Sequence, residues 1–348
     1  MSMPEPRLLA LSTAVPPHVL HQPLVRARFH QVYGDRPEVA RLMPVFDHAG
    51  IDRRHSCVPM TWYEEPHGWT ERNRVYLEHA VTLLEQVARD CLSQASLRAE
   101  DIDQIVVVST TGIATPSLDA MLIDRLGLRS DVQRLPIFGL GCAGGVLGLS
   151  RAAALARAEP ASRVLFLVVE LCALSFRKDD LSKGNIVATA LFGDGAAGAI
   201  LCCRGEGPRL GPAGEHTWPQ SLDIMGWDVT EVGLQAVFSR NIPALVREEL
   251  RGVATAFLAR HGLALRDVGR FVCHPGGAKV IEALEVAFGL QDGTLTEARR
   301  VLADYGNMSA PTVLFVLHNV LQQRPRDRML LTALGPGFSA AFAILDCR

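Results

Sequence analysis

The chain has no surplus of either charge. Its 35 Lys and Arg nearly balance 37 Asp and Glu, for a formal charge of −2 over 348 residues. That balance excludes the basic field that draws in nucleic acid or an anionic membrane surface, and it points to a small-molecule partner. Long apolar runs are also missing. The longest, such as Val164 to Val169, are strand-sized, so no segment is expected to span a bilayer. The start, MSMPEPRLLALSTAVPP, lacks the basic opening and apolar core of a secretory leader, which leads us to expect a cytoplasmic protein. No C-x-x-C pair occurs among the 8 cysteines, and Cys202 and Cys203 are adjacent. That spacing suits neither a metal site nor a disulfide framework, so free thiols and no metal are expected.

What is present is a long, apolar chain: 48% of the residues are hydrophobic, enough for two domains or one duplicated domain. Strand-like and helix-like stretches alternate. Ile105-VVVST, Leu135-PIFGL, Arg163-VLFLVVE and Phe271-VCH read as strands. Pro116-SLDAMLIDRLGL, Ala143 to Ala158, Ala278-KVIEALEVAFGL and the amphipathic Asn73 to Ser96 read as helices. The pattern predicts an α/β chain with a buried mixed sheet. Leu191-FGDGAAGAIL is echoed by Leu334-GPGFSAAFAIL. The echo suggests two similar halves in a five-layered αβαβα body, split as 1–205 and 206–348, with the Gly- and Pro-dense Arg204-GEGPRLGPAGE as the link.

Three short stretches carry candidate chemistry. Gly139, Gly141 and Gly144 in FGLGCAGG match G-x-G-x-x-G between a strand and a helix, the context of a dinucleotide-binding turn. Cys142 interrupts it, and a side chain there would crowd a pyrophosphate. The acid Glu170 follows Gly139 by 31 residues, where about 20 after the glycines is expected. A cysteine at a helix start sits near free N–H groups that favour a thiolate. On these grounds alone, cofactor turn and nucleophile turn remain equal choices. Cys273-His274-Pro-Gly-Gly277 puts a histidine at a strand end, where it can pair with a thiol. Asn307 in Tyr305-Gly-Asn-Met-Ser-Ala310 reads on spacing as a turn or cap residue, and alternatively as a neutral donor to an oxyanion. Asp194 reads as a turn acid, and Trp218 and Trp227 as packing residues.

Together, GCAGG around Cys142, LFGDGAA at 191–197, HPGG at 274–277, YGNMSA at 305–310 and GPGF at 335–338 resemble the type III polyketide synthases. This is the chalcone synthase-like branch of the thiolase fold, and the resemblance runs through essentially the whole chain. It implies that Cys142 takes an acyl group from a CoA thioester. His274 would keep the thiolate and, with Asn307, hold the enolate left when malonyl-CoA loses carbon dioxide. CoA thioesters would be substrates, with no resident cofactor. Phe192 matches a gatekeeper aromatic. Thr110, Ser309, Ala188, Gly337 and Thr115 match positions around the substrate, Thr115 in a loop that reaches the interface of a homodimer. A second gatekeeper ring of the plant enzymes falls at Ala236, where its loss would open a channel. The segment that supplies cations for CoA phosphates is thin here. Arg41 matches, Pro44 and His48 replace bases, and Arg53 and Arg54 are candidates to compensate. Met225-Gly-Trp-Asp228 and Val237-Phe-Ser-Arg-Asn241 look like the bacterial alkylpyrone and alkylresorcinol synthases, which implies fatty acyl starters. The rival readings are a ketoacyl-carrier-protein synthase III, an NAD-dependent dehydrogenase and a non-catalytic subunit of the same fold.

Overall fold

The computed structural model describes residues 4–34, 36–239 and 241–348. Arg240, within the Val237–Asn241 stretch, lies outside the described residues. The strands are β1 (Arg7–Ala14), β2 (His18–His21), β3 (Arg53–Ser56), β4 (Gln104–Val108), β5 (Gln133–Ile137), β6 (Val164–Leu171), β7 (Asp194–Cys202), β8 (Arg209–Thr217), β9 (Met225–Thr230), β10 (Gly233–Phe238), β11 (Arg270–Cys273), β12 (Arg328–Gly335) and β13 (Ser339–Asp346). Nine of them form one sheet in the order β11-β12-β13-β8-β1-β7-β6-β4-β5. Its β1–β8 junction is a single antiparallel bridge, Arg7 to Arg209.

The two sides of that junction repeat one another. β7 lies antiparallel between β6 and β1, and β13 lies antiparallel between β12 and β8. The echoed segments LFGDGAAGAIL and GPGFSAAFAIL therefore run into equivalent strands. Both strands are buried nearly end to end, as are β4 and β6. Continuous apolar runs of this kind belong to strands covered on both faces.

Two helices provide the inner cover. Gly144–Ala158 packs against β4, β6 and β7 on one side and against β8, β12 and β13 on the other. Thr312–Gln322 packs against Gly144–Ala158 and against strands of both halves. Outer helices complete the five layers: Trp69–Gln94 over β1, β6 and β7, and Ile242–Ala259 over β13 with Ala278–Phe288 beside it. Small residues make the middle layer possible. A Cβ on Gly145 would stand 2.2 Å from the Ala310 carbonyl oxygen, and one on Gly148 would stand 2.6 Å from the Phe166 ring.

Three expectations change. β5 begins at Gln133 and is mostly solvent-exposed, because it is the sheet's edge, where Pro136 costs no ladder bond. The long helix starts at Trp69 rather than Asn73. The stretch expected as a bare link contains β8, which pairs with β13 along its length.

Candidate active site

The repeat brings two helix starts together at the centre. Cys142 sits in a 3-10 turn, Gly141–Ala143, at the head of Gly144–Ala158. Asn307 and Ser309 sit just before Thr312–Gln322. His274 follows the end of β11, its backbone N–H bonded to the Thr332 carbonyl at 2.8 Å. All four side chains are buried.

The GPGF loop clamps the cysteine turn. Gly141 has φ +47°, and a Cβ there would meet the Pro336 ring at 2.6 Å. Phe338 anchors that loop: its N–H donates to Ser221 Oγ at 2.6 Å, its carbonyl accepts from Trp218 N–H at 2.9 Å, and its ring stacks on Trp218. Gly337, at φ +126°, takes the bend between them.

Asn307 is oriented on three sides. Its backbone bridges to Phe192, with N–H to Leu191 O at 2.8 Å and carbonyl to Gly193 N–H at 3.1 Å. Its Nδ2 donates to Gly276 O at 3.1 Å, within the turn that follows His274, and its Oδ1 accepts from Ser309 N–H at 2.8 Å. The last bond is an Asx turn, so the turn reading holds, but the side chain caps no helix. With both amide atoms assigned, one Nδ2 hydrogen is left to point elsewhere. Ser309 adopts φ +57°, rare for a residue with a side chain, and its hydroxyl faces Cys142.

Burial decides the resting charges. It pushes the Cys142 thiol up to about 11; the Ser309 hydroxyl pulls it down and the Glu170 charge adds to the rise. The expected advantage for thiolate at the helix start is outweighed, because a lone buried charge loses its water. Burial likewise pushes His274 down to about 4. Both ring nitrogens of His274 are closed off from solvent and have no hydrogen-bond partner among the described residues. At neutral pH Cys142 therefore rests as the thiol and His274 as the free base, the state in which the ring can accept a proton.

Glu170 is the participant that spacing did not assign. It ends β6 fully buried, accepting from Thr110 N–H at 3.0 Å and Thr111 Oγ1 at 2.7 Å. Thr110 Oγ1 in turn accepts from Gly141 N–H at 3.3 Å, which links this acid to the cysteine turn. Burial raises the Glu170 carboxyl to about 7, against those donors. Its one sequence signal was an acid ending an otherwise apolar strand. Asp194 is more than a turn acid: buried, it ties Cys57 N–H at 2.9 Å to Ala173 N–H at 2.8 Å.

Phe192 and Ala188 pack with Cys172 beside the site. From them an apolar groove runs outward, walled also by Phe29, Tyr33 and Phe176, with about 680 Å³ of empty space including its mouth. The channel expected at Ala236 does not lie on that groove. Ala236 sits across from Trp227 in the β9–β10 hairpin and, like the Trp227 and Phe238 rings, packs against Phe192 and its neighbours. The groove opens at Ala188 instead. Thr115 is exposed, away from these side chains.

The proposed cations separate. Arg54 is fully enclosed and bonds Gln22 Oε1 at 2.9 Å and Ala190 O at 2.6 Å, so it braces the fold and cannot reach a phosphate. Arg53 pairs with Asp304 at 2.9 Å. Arg41 is exposed, after the short helix Pro37–Ala40.

Comparison with known proteins agrees with this geometry. Residues 2–208 match the family described as chalcone and stilbene synthases, N-terminal domain, and residues 210–344 match the C-terminal domain. A 1,3,6,8-tetrahydroxynaphthalene synthase of Streptomyces peucetius subsp. caesius is 39% identical over 97% of this chain and 92% of its own. A putative chalcone synthase of Bacillus subtilis is 37% identical over 97% and 98%. The crystal structure of the Streptomyces coelicolor 1,3,6,8-tetrahydroxynaphthalene synthase, a bacterial type III polyketide synthase, superposes with a TM-score of 0.94 at 29% identity, covering 98% of this chain and 99% of that one.

Proposed function

The chain belongs to the chalcone and stilbene synthases, the type III polyketide synthases, and from that premise we propose that it extends a medium or long fatty acyl group with malonyl-CoA and closes the product to an alkylpyrone or alkylresorcinol. The acyl-CoA carbonyl is attacked by Cys142 sulfur. The thiol proton passes to His274, whose ring nitrogens are unoccupied, and the CoA thiolate leaves and takes up that proton. Moving the proton to the ring creates two opposite charges together, and their attraction offsets the burial that disfavours either alone. Malonyl-CoA then loses carbon dioxide, and the charge moves to its thioester oxygen. His274 and the remaining Asn307 amide hydrogen are the donors to that oxygen, worth about 3 kcal/mol for one donor. The enolate carbon attacks the Cys142 thioester and Cys142 thiolate leaves. Each round adds two carbons, with CoA thioesters as substrates and no resident cofactor.

The observation that carries the starter class is the groove from Phe192 and Ala188. Its charged members are committed elsewhere: Arg28 to Glu64, Lys178 to the Glu64 carbonyl and Arg54 to the fold. What faces inward is aromatic and aliphatic, which suits an alkyl tail at about 0.8 kcal/mol per buried CH₂. In this reading the half 1–205 supplies the nucleophile and the half 206–348 the histidine and asparagine. Arg41 is the exposed cation for CoA phosphates. The chain acts as a homodimer, with the Thr110–Pro116 loop reaching the partner; the exposed Ile113 in that loop and the exposed Leu135 and Phe138 in and after β5 support such an interface.

The test is product analysis by mass spectrometry with labelled malonyl-CoA and starters from acetyl- to stearoyl-CoA. Alkylpyrones or alkylresorcinols from the longer starters, absent with Cys142→Ala, are expected. Products from short starters alone would overturn the groove assignment. A linear single-condensation product that requires carrier-protein malonate would put a ketoacyl synthase III in its place.

A further inference from the structure

A second cavity opens off the same region and differs in chemistry. Its wall includes Trp69, Arg72, Thr111, Leu174, Arg177 and Trp227, and no acidic side chain. We infer that this cavity is a subsite for the terminal carboxylate of a long dicarboxylic acyl thioester, a starter distinct from the malonyl-CoA extender. The inference rests on the polyketide synthase reading and adds to it a second class of starter.

The argument begins with two arginines held near each other. Arg72 is fixed: Nε donates to His67 O at 2.9 Å, Nη1 donates to Leu174 O at 2.5 Å, and the guanidinium lies over the Trp62 ring. Arg177 is fixed only through its backbone, by Asn185, whose Oδ1 accepts its N–H at 3.1 Å and whose Nδ2 donates to its carbonyl at 2.7 Å. Its guanidinium makes no hydrogen bond or ion pair among the described residues, and Nη2 is closed off from solvent. Burial pushes Arg72 down from its ordinary range, and the Arg177 charge adds to the fall against Tyr63 and Glu71; burial pushes Arg177 down as well, against the Asp180 charge. The nearby acids act on these arginines only through space, Asp180 on Arg177 and Glu71 on Arg72, with no ion pair or hydrogen bond to either among the described residues. Glu71 pairs with His67, and Asp180 accepts from Gln235 Nε2 at 3.1 Å.

Two partly desolvated guanidiniums with donors to spare form a site for a planar anion with two acceptor oxygens. The cavity adjoins the catalytic groups. Thr111, on its wall, donates to Glu170, and Trp227, on its wall, packs against Phe192. A chain attached at Cys142 thus has an apolar groove on one side and a cationic cavity on the other. The neutral tail selects the first and the terminal carboxylate selects the second.

The experiment measures binding by calorimetry to Cys142→Ala protein, which cannot be acylated there. Octanedioyl-CoA and octanoyl-CoA are the probes, equal in length and differing in the terminal carboxylate. Octanedioyl-CoA is expected to bind about tenfold tighter at low salt. Arg177→Gln should erase that preference and leave octanoyl-CoA unchanged, while Arg177→Lys retains part of it. Thermal melting of both variants should match the parent, because this guanidinium bonds nothing in the fold. Equal affinities of the two probes would overturn the inference. So would equal weakening of both by Arg177→Gln, which would place the CoA phosphates there instead. Whether the wild type makes any polyketide from octanoyl-CoA is read separately, so failure of the enzyme reading and failure of the subsite are distinguishable.

Discussion

At the scale of single residues, the chemistry turns on side chains that burial keeps uncharged until substrate arrives. In the proposed mechanism His274 takes the Cys142 proton, so Cys142 alkylation by iodoacetamide should show its pH inflection lower in the wild type than in His274→Gln. The variant's inflection should lie higher, because burial and the Glu170 charge then raise the thiol with only the Ser309 hydroxyl and a backbone bond against them. Coincident profiles would mean that the two groups do not share a proton. Asn307→Ala should lower kcat for malonyl-CoA decarboxylation by about 10²–10³ while Cys142 still becomes acylated, because the donor acts on the enolate and not on loading. Glu170 makes a different prediction. Its carboxyl titrates near 7 in the fold against 4.5 as the ordinary value, so the folded state holds the extra proton between those pH values. Stability therefore falls as pH rises through that window and levels off above it. Glu170→Gln should flatten the slope of urea midpoint against pH between 5 and 7; an unchanged slope would assign it to other groups, Asp194 among them. Cys142, His274 and Asn307 were nominated by five motifs taken together, since each glycine turn alone left a structural alternative open, and the fold buries all three. Glu170 was not, since a carboxylate's meaning depends on which N–H groups converge on it across 60 residues of chain.

At the scale of elements, the central crossing of two helices sets the site, and glycine sets the crossing. Gly145→Ala would drive a methyl group against the Ala310 carbonyl, 2.2 Å away, and displace the turn that holds Ser309 and Asn307. A loss of about 1–3 kcal/mol in stability is expected from such overpacking, read as a lower urea midpoint, with a larger loss of activity than of fold. Strands with unbroken apolar runs, β4, β6 and the Ala-rich β7 and β13, were readable because burial on both faces leaves no other composition. β5 and β8 were misjudged for the opposite reason. An edge strand keeps polar residues and proline, and a joining strand of Gly and Pro looks like a loop until its partner β13 is known. Ala236 was hard to place for a related reason: the lost ring was visible in the sequence, but its setting beside the Trp227 and Phe238 rings, off the groove, comes from pairing within a hairpin.

For the whole molecule, the repeated strand order brings equivalent helix starts together at the centre, one carrying Cys142 and the other preceded by Asn307, and the proposed mechanism draws on both. That order also leaves β5 as an exposed edge. Phe138, 60% exposed, directly follows it, so in the proposed dimer Phe138→Glu should favour the monomer in analytical ultracentrifugation. A wild type that sediments as a monomer would remove that role. The long starter, the groove and the nucleophile meet in one observable, the mass of the intact protein after brief exposure to decanoyl-CoA without malonyl-CoA. We expect a gain of one decanoyl group, located on the Cys142 peptide, retained in Asn307→Ala and missing in Cys142→Ala. A decanoyl group on another residue such as Cys172, or none where acetyl-CoA does acylate Cys142, would contradict the assignment of this site to fatty acyl chemistry.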